Sequence, residues 1–303
     1  MADRGARWSE ESDRWALLWV AAGATLWGTD TVLRRPLAWS WSSLHVVLLE
    51  HWVLAMALLP LAWRSRLQWM ALKPIQWGAL FGVSWGGSAL ATVCFTEAIR
   101  FGNPTTAVLL QKTQPLFAAL LARALLIERL GGRFWGCLAV ALAAAWLVSF
   151  GAAVPWLGPV EARPALLALT AAALWGGSTV LGRYLTDTLA PAVLVALRVQ
   201  LAVPLLTALP WLRDDNLIGK MDPGQALSLL LLALVPGLAA LLLYYRGLSR
   251  TSASLAAIVE LCFPATATLL NWVFLDARIS PEQLAGFALL WGVISYMERS
   301  SHP

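Results

Sequence analysis

Long runs of apolar residues, separated by short turns that contain proline, glycine or charged residues, make up most of the chain. A transmembrane helix needs about 20 mainly apolar residues. Such runs lie at 15–33, 44–63, 75–98, 104–126, 132–150, 164–183, 191–211, 224–248, 253–275 and 281–298. No connection is long enough for a separate soluble domain. The pattern therefore predicts an all-α integral membrane protein with ten transmembrane helices.

Composition agrees with this pattern. Of the 303 residues, 59% are hydrophobic and 13% are charged, against about 45–50% and about 25% in soluble domains. The net charge of +5 is spread along the chain, which argues against nucleic-acid binding. The three cysteines lie in apolar runs without the close Cys/His spacing of a metal site. Neither a metal nor a cofactor is expected.

Lysine and arginine in the loops predict the orientation, because cytoplasmic loops carry an excess of both. With the N-terminus in the cytoplasm, the first half places 8 basic residues inside and 3 outside. The second half is nearly balanced, so the prediction depends on the first. We expect both termini to be cytoplasmic, in a bacterial inner membrane.

An internal repeat organises the chain. Residues 24–35 match residues 172–183 at an offset of 148, with at least seven of twelve positions identical. At an offset of 149, Phe95, Gln111 and Pro115 correspond to Tyr244, Glu260 and Pro264. Because each repeat holds five helices, an odd number, the second should enter the membrane from the opposite face. The sequence predicts two inverted five-helix repeats.

This repeat divides the chain into five predicted parts. They are a cytoplasmic tail at 1–14, a first repeat at 15–150, a linker at 151–163, a second repeat at 164–298 and a C-terminal tail at 299–303.

The sequence resembles the EamA type of the drug/metabolite transporter superfamily. The resemblance rests on the helix starts Leu26-Trp27-Gly28 and Leu174-Trp175-Gly176 and on the stretch from Pro115 to Leu130, which ends in Leu126-Ile127-Glu128-Arg129-Leu130. It implies an inverted-repeat transporter with a central cavity that moves small organic metabolites such as amino acids, often outward. The second half departs from the family pattern at Asp276-Ala277-Arg278.

Charged residues inside the predicted helices are candidates for gating, because a charge at a helix centre costs about 2.5–3.5 kcal/mol on insertion scales. Glu50 and Lys112 lie at similar depth on the outer side, and Arg198 and Glu260 on the inner side. Each set is predicted to form an ion pair that borders the substrate path, and static ion pairs that lock helices together are the alternative. Two further candidates, Glu97 and Arg246, lie nearer to helix ends.

Two prolines indicate a binding site at the centre. Pro115 and Pro264 are predicted to kink helices 4 and 9, since proline cannot bond the carbonyl four residues earlier, here that of Gln111 or Glu260. Gln114 shares a helix face with Gln111. We expect Gln111, Gln114 and Glu260 to bind substrate, although kinks that only shape packing remain an alternative.

Two tryptophans lie deep in the predicted bundle. Trp27 and Trp175 each precede a glycine that lets another helix approach closely. They are candidate walls for an apolar or cationic ligand, with core packing as the alternative.

These features lead to one expected function and two alternatives. The expectation is a secondary transporter that exports small polar or zwitterionic metabolites such as amino acids by alternating access. Its expected partners are a small-molecule substrate, the lipid bilayer and a coupling proton or an exchanged metabolite, in a monomer or homodimer. No Walker-type glycine loop is present. An acyltransferase-like intramembrane enzyme would not need inverted halves, and a passive receptor or scaffold would not need midplane charges.

Overall fold

Helices form nearly all of the described chain. The computed structural model describes residues 15–38, 40–101, 104–151, 162–211, 221–275 and 279–300, and these ranges contain no strand. The predicted tail at 1–14, residues 152–161 of the predicted linker and residues 301–303 lie outside them.

The first half contains helices with one π-helical segment. They are α1 (Ala16–Trp27), α2 (Asp30–Ala38), α3 (Ser43–Arg64), α4 (Arg66–Met70), α5 (Pro74–Phe81), π1 (Gly82–Leu90), α6 (Ala91–Phe101), α7 (Pro104–Gln111), α8 (Gln114–Leu125) and α9 (Gly132–Phe150).

The second half follows the same order, except that its first helix is continuous and that α4 has no counterpart among its described residues. It contains α10 (Ala162–Leu185), α11 (Pro191–Trp211), α12 (Pro223–Leu232), π2 (Ala233–Ala239), α13 (Ala240–Leu248), α14 (Ala253–Val259), α15 (Cys262–Leu275) and α16 (Pro281–Ser300).

Eight helical segments of the described chain are long and apolar enough to cross a membrane. They confirm an integral membrane protein. The α7/α8 segment and α16 are not among the eight, so the total of ten spans stays a prediction. The first span also runs further than expected, to Leu37, because Asp30 and Arg34 pair one turn apart at 2.5 Å and keep this polar stretch helical.

Helix interruptions occur at related places in the two halves. The gap between α7 and α8 and the gap between α14 and α15 each come shortly before a buried proline, Pro115 or Pro264. The π segments also correspond under the repeat. Pro236 lies inside π2 and lacks the N–H that a regular ladder requires. Helical irregularities of this kind are frequent at functional sites.

Packing between the halves has approximate two-fold symmetry: the largest helix contacts each have an equivalent in which the two repeats change places. Helix α1 packs along α13, and its repeat equivalent α10 packs along α6. The equivalent helices α3 and α11 pack on each other, as do α9 and α16. A duplicated sequence has thus produced duplicated contacts, which places the interface between the repeats at the centre of the molecule.

Two equivalent glutamines join the repeats. Gln76 Nε2 donates to Thr188 Oγ1 at 2.7 Å, and Gln225 Nε2 donates to Ser40 Oγ at 3.0 Å. Gln225 is 149 residues after Gln76, and Thr188 is 148 after Ser40. Each bond therefore ties the start of one helix to a turn of the other repeat.

Glu128 forms a further link between the repeats. Its carboxylate accepts hydrogen bonds from the backbone N–H of Ala253 at 2.7 Å and of Ser254 at 3.2 Å, and from the Ser254 hydroxyl. The first N–H groups of a helix lack intrahelical partners, and a carboxylate there is favoured by the helix dipole. Glu128 thus caps α14 from the opposite repeat.

Candidate functional site

Glu260 lies at the interruption between α14 and α15. Its N–H continues the α14 ladder to the carbonyl of Ala256 at 2.9 Å, whereas its own carbonyl accepts from Phe263 N–H at 3.0 Å, in a tighter turn. Pro264 would otherwise be the residue to bond that carbonyl, and it has no N–H. The local sequence therefore ends one helix at Glu260 and starts another just after it.

Three neutral side chains surround the Glu260 carboxyl group. Tyr244 Oη donates to Oε1 at 2.5 Å and Thr179 Oγ1 donates to the same oxygen at 3.0 Å. Gln114 Nε2 donates to Oε2 at 2.5 Å. Tyr244 comes from α13, Thr179 from α10 and Gln114 from α8. One carboxyl group thus joins helices of both repeats.

The predicted binding residues of the first repeat belong to this network. Gln111 ends α7 and Gln114 begins α8, and Gln111 Nε2 approaches Gln114 Oε1 at 3.5 Å. The structure therefore brings the predicted residues Gln111, Gln114 and Glu260 into one continuous polar chain. We call Gln111, Gln114, Thr179, Tyr244 and Glu260 the central network.

Aromatic pairs lie beside both helix interruptions. The rings of Trp27 and Tyr244 are 4.9 Å apart between centroids, and those of Trp175 and Phe95 are 5.5 Å apart. These pairs are equivalents under the repeat. Tyr244 therefore presents its ring to Trp27 and its hydroxyl to Glu260, while Phe95 offers a ring alone.

The two Trp-Gly pairs share a packing role. A Cβ atom at Gly28 would lie 2.5 Å from Thr266 Cβ, and one at Gly176 would lie 2.9 Å from the backbone N of Ala118. Thr266 and Ala118 are on α15 and α8, the helices that follow the interruptions. Close approach at glycine thus fixes the position of each interrupted helix.

The predicted pairing of Glu50 with Lys112 is wrong for this structure. The Glu50 carboxylate pairs with Arg34 Nη2 at 3.2 Å, and the same guanidinium pairs with Asp30. The prediction used only the depth of Lys112 and Glu50 in the membrane. Arg34 lies beside Glu50 instead, because α2 continues as a helix next to α3. Buried Lys112 has no ion pair with any residue of the described ranges.

The predicted pairing of Arg198 with Glu260 is also not formed. Arg198 Nε donates to Ser88 Oγ at 2.8 Å and its Nη1 donates to Tyr245 Oη at 2.9 Å. Tyr245 Oη thus bonds the arginine while Tyr244 Oη bonds the Glu260 carboxyl group, and the two tyrosine rings meet edge to face with their centroids 5.3 Å apart. Among the described residues, the hydrogen-bond partners of this guanidinium are hydroxyl groups.

Arg198 and Glu50 nevertheless occupy equivalent places. Arg198 bonds Ser88 of π1, and a Cβ atom at Gly237 of π2 would lie 3.3 Å from Glu50 Oε1. Ser88 and Gly237 are 149 residues apart. Each of these two charged side chains therefore faces the π segment of the other repeat.

The two remaining charged candidates, Glu97 and Arg246, have neighbours outside the central network. Glu97 is buried and pairs with Arg100 one turn later at 3.8 Å. Arg246 is exposed and lies over the ring of Trp19 at 4.5 Å, which suits a side chain that reaches toward lipid headgroups.

Sequence reasoning missed three contributors to these clusters: Tyr244, Thr179 and Arg34. The repeat register aligns Tyr244 with Phe95, so a hydroxyl opposite a plain aromatic ring was an available signal for Tyr244, whereas Thr179 aligns with the identical residue Thr31 and offered none. The signal for Arg34 was its spacing of four from Asp30. Within the described chain no three side chains of the metal-binding types form a group.

The chain has two repeats of apolar helices. They meet around paired helix interruptions that carry polar side chains, which is the architecture of a membrane transporter. The model of the EamA-like transporter family matches residues 14–150 and 162–297. The chain belongs to this family.

Comparisons with individual proteins agree with the family. The riboflavin transporter ImpX of Fusobacterium nucleatum is 32% identical over 290 residues, which cover 90% of this chain and 94% of that protein. The uncharacterized transporter YwfM of Bacillus subtilis is 29% identical over 209 residues, covering 66% of this chain and 69% of the other. One crystal structure has a TM-score of 0.80 over 94% of this chain and 98% of the other at 19% identity, which shows the fold alone.

Proposed function

We propose that the chain is a secondary transporter for a small, flat, hydrogen-bonding heterocycle of the riboflavin type, bound at the central network. The observation that carries this proposal is the combination of two aromatic pairs with a carboxyl group and two amides at the same helix interruptions. Ring faces stack on flat aromatic ligands, and carboxamides and carboxyl groups pair with the N–H and C=O groups on their edges. The name of the Fusobacterium relative agrees with this substrate class.

A zwitterionic metabolite such as an amino acid is the second candidate. It is favoured by the absence of any cationic side chain within ion-pair distance of Glu260 among the described residues. The ammonium group of an amino acid would supply the missing charge. The family resemblance implied this class and an outward direction.

Alternating access is the mechanism that inverted repeats support, because exchange of conformations between the halves opens one face while closing the other. In this proposal the Asp30/Arg34/Glu50 cluster borders the path on the outer side and the Arg198/Ser88/Tyr245 cluster borders it on the inner side. Both termini lie in the cytoplasm, and the bacterial inner membrane is the site of action.

Flux into proteoliposomes tests the substrate. Purified protein is reconstituted, and uptake of riboflavin is compared with uptake of a mixture of radiolabelled amino acids. We expect saturable riboflavin flux that excess unlabelled riboflavin abolishes. Empty liposomes and the Glu260→Ala variant provide the controls. Amino-acid flux without riboflavin flux would favour the second candidate, and neither flux would refute both.

A thermal-unfolding screen checks binding without transport. A ligand that binds only the folded state raises the melting temperature by an amount that grows with the ratio of its concentration to its Kd. Riboflavin should raise it, ribose should not, and lumichrome, the ring system without the sugar chain, should give most of the shift if the rings recognise the ligand.

A further inference from the structure

The two repeats carry equivalent polar clusters that differ in charge. In the first repeat, the Arg34 guanidinium pairs with the carboxylates of Asp30 and Glu50. At the offset of 148, the equivalents of Asp30, Arg34 and Glu50 are Ser178, Gly182 and Arg198. The first cluster therefore has one cation between two carboxylates, whereas the second has a cation and no carboxylate of its own.

Arg198 keeps hydrogen-bond donors that the protein does not use. A guanidinium has five N–H donors. Ser88 Oγ accepts one at 2.8 Å and Tyr245 Oη accepts another at 2.9 Å. Among the described residues, no carboxylate lies within 4.0 Å of Arg198. The positive charge and three N–H donors therefore remain available to a ligand.

A buried hydroxyl without a partner lies beside this guanidinium. Ser178 is 4% exposed, and its Oγ has no hydrogen-bond partner in the described chain. A Cβ atom at Gly87 of π1 would contact Ser178 Oγ and would lie 3.5 Å from Arg198 Nη2. The hydroxyl and the Nη2 edge thus flank the same glycine. Because a buried polar group without a partner is unfavourable, both groups gain from a ligand at this place.

Tyr245 holds the arginine without neutralising it. A Cβ atom at Gly182 would lie 2.8 Å from Tyr245 Cε1 and 3.1 Å from its Oη. The missing side chain at Gly182 therefore leaves room for the tyrosine that bonds Arg198. A phenol orients a guanidinium but supplies no countercharge. We call Ser88, Ser178, Arg198 and Tyr245 the arginine cluster.

We propose that the arginine cluster is an oxyanion site, which binds a carboxylate or phosphate group of the transported molecule. Guanidinium groups bind both through paired N–H bonds, and the Ser178 hydroxyl has a proton to donate. The oxyanion supplies the countercharge that Asp30 and Glu50 supply in the first repeat. This inference rests on the proposed transport function but not on riboflavin as the substrate.

The arginine cluster adjoins the central network on two helices. The neighbours Ser178 and Thr179 on α10, and the neighbours Tyr245 and Tyr244 on α13, each contribute one residue to either site. Successive residues of a helix point about 100° apart, so the two sites lie side by side on different faces. A substrate with both an oxyanion and a hydrogen-bond donor suits this arrangement. Flavin mononucleotide, the phosphate ester of riboflavin, is such a compound.

Anion binding is tested without transport. Thermal unfolding of the purified full chain is followed while inorganic phosphate or acetate replaces chloride at constant ionic strength. We expect phosphate and acetate to raise the unfolding temperature of the wild type but not that of Arg198→Gln. Arg246→Gln, which removes an exposed arginine of α13, is the control and should respond like the wild type. No shift in the wild type, a shift that survives Arg198→Gln, or equal losses in both variants would overturn the proposal.

Two variants of Ser178 decide the matter even if Arg198→Gln does not fold. Ser178→Ala loses no hydrogen bond of the described chain, so it should fold normally and bind phosphate about 3- to 10-fold more weakly. Ser178→Asp gives the second repeat the carboxylate of Asp30, which should pair with Arg198 and remove the phosphate shift. Unchanged phosphate affinity in either variant would contradict the oxyanion site.

Flavins then show what carries the oxyanion. We expect flavin mononucleotide to raise the unfolding temperature more than riboflavin does, and Arg198→Gln to reduce its effect to that of riboflavin. Equal wild-type shifts with the two flavins would overturn the assignment to the transported molecule. A shift with phosphate and none with either flavin would refute the flavin substrate and leave the oxyanion site in place. A riboflavin shift without any anion shift would do the reverse.

Discussion

The two repeats build the same frame around the centre and fill it with different chemistry. In each, a tryptophan lies against an aromatic ring of the opposite repeat, and a glycine admits the interrupted helix. In the second repeat the key side chains are Glu260 and Tyr244. Their equivalents in the first are Gln111 and Phe95. Duplication thus supplied a symmetric scaffold, and two side-chain differences made one side acidic and hydroxylated.

This comparison explains why the central network has a carboxyl group on one side only. A second carboxyl group close to Glu260 would add repulsion between like charges, which favours protonation of at least one of them. A carboxamide at position 111 avoids this cost and extends the hydrogen-bonded chain through Gln114. The asymmetry therefore gives the central network a single carboxyl group within a nearly symmetric frame.

The largest effect on transport is expected from removing the Glu260 side chain, the acidic member of the Gln111/Glu260 pair. Glu260→Ala takes an acceptor from three hydrogen bonds, each worth about 0.5–1.5 kcal/mol. We expect substrate flux to fall roughly 100-fold, against about threefold for Gln111→Ala, which loses one long contact. Initial rates in proteoliposomes measure both, and equal losses would contradict the asymmetric site.

The second prediction tests the shared frame. Gly28→Ala and Gly176→Ala would each place a methyl group too close to an interrupted helix, and overpacking costs about 1–3 kcal/mol. Both should lower the unfolding temperature, Gly28→Ala more strongly because its contact is closer. Gly136→Ala on α9, where nothing lies within 4 Å of the added carbon, is the control and should be neutral or stabilising.

The third prediction exchanges one hydroxyl between the halves. Tyr244→Phe removes the bond to Glu260 while keeping the ring against Trp27. We expect riboflavin affinity to fall about 3- to 10-fold, the equivalent of one hydrogen bond. Phe95→Tyr adds a hydroxyl in the first repeat, where the equivalent of Glu260 is the carboxamide of Gln111. It should therefore not restore affinity in the double variant. Recovery in that double variant would show that the two aromatic positions are interchangeable.

The smallest effects are expected at the glutamine tethers. Gln76→Ala and Gln225→Ala each remove an exposed side-chain bond between repeats, and each should cost about 0.5–1 kcal/mol of stability or less. Thermal unfolding should show similar shifts for both. A large loss for one alone would mean that the repeats are not held together symmetrically.

Much of this architecture was predictable because it follows from periodicity and length. Apolar runs predicted the membrane helices, and the match between residues 24–35 and 172–183 predicted two repeats. Pro115 and Pro264 predicted the places of altered helix geometry, since a missing N–H acts locally. Gln111 and Glu260 could be aligned by counting residues alone.

The pairing of charges was not predictable in the same way. Depth along a helix indicates which residues lie at one level, but it does not give the rotation of a helix or which neighbour it faces. Glu50 was therefore assigned to Lys112, whereas the structure gives it Arg34. Arg198 was assigned to Glu260, whereas the structure turns it toward Ser88 and Tyr245.

The sequence by itself determined the class of protein, the repeat and the position of the central residues, because hydropathy, duplication and proline act along the chain. Only the tertiary structure decided the partners of Glu260. Its three donors come from α8, α10 and α13, and their meeting depends on how closely helices from both repeats pack at small residues. Contacts of this kind depend on helix rotation and separation, which no local pattern encodes.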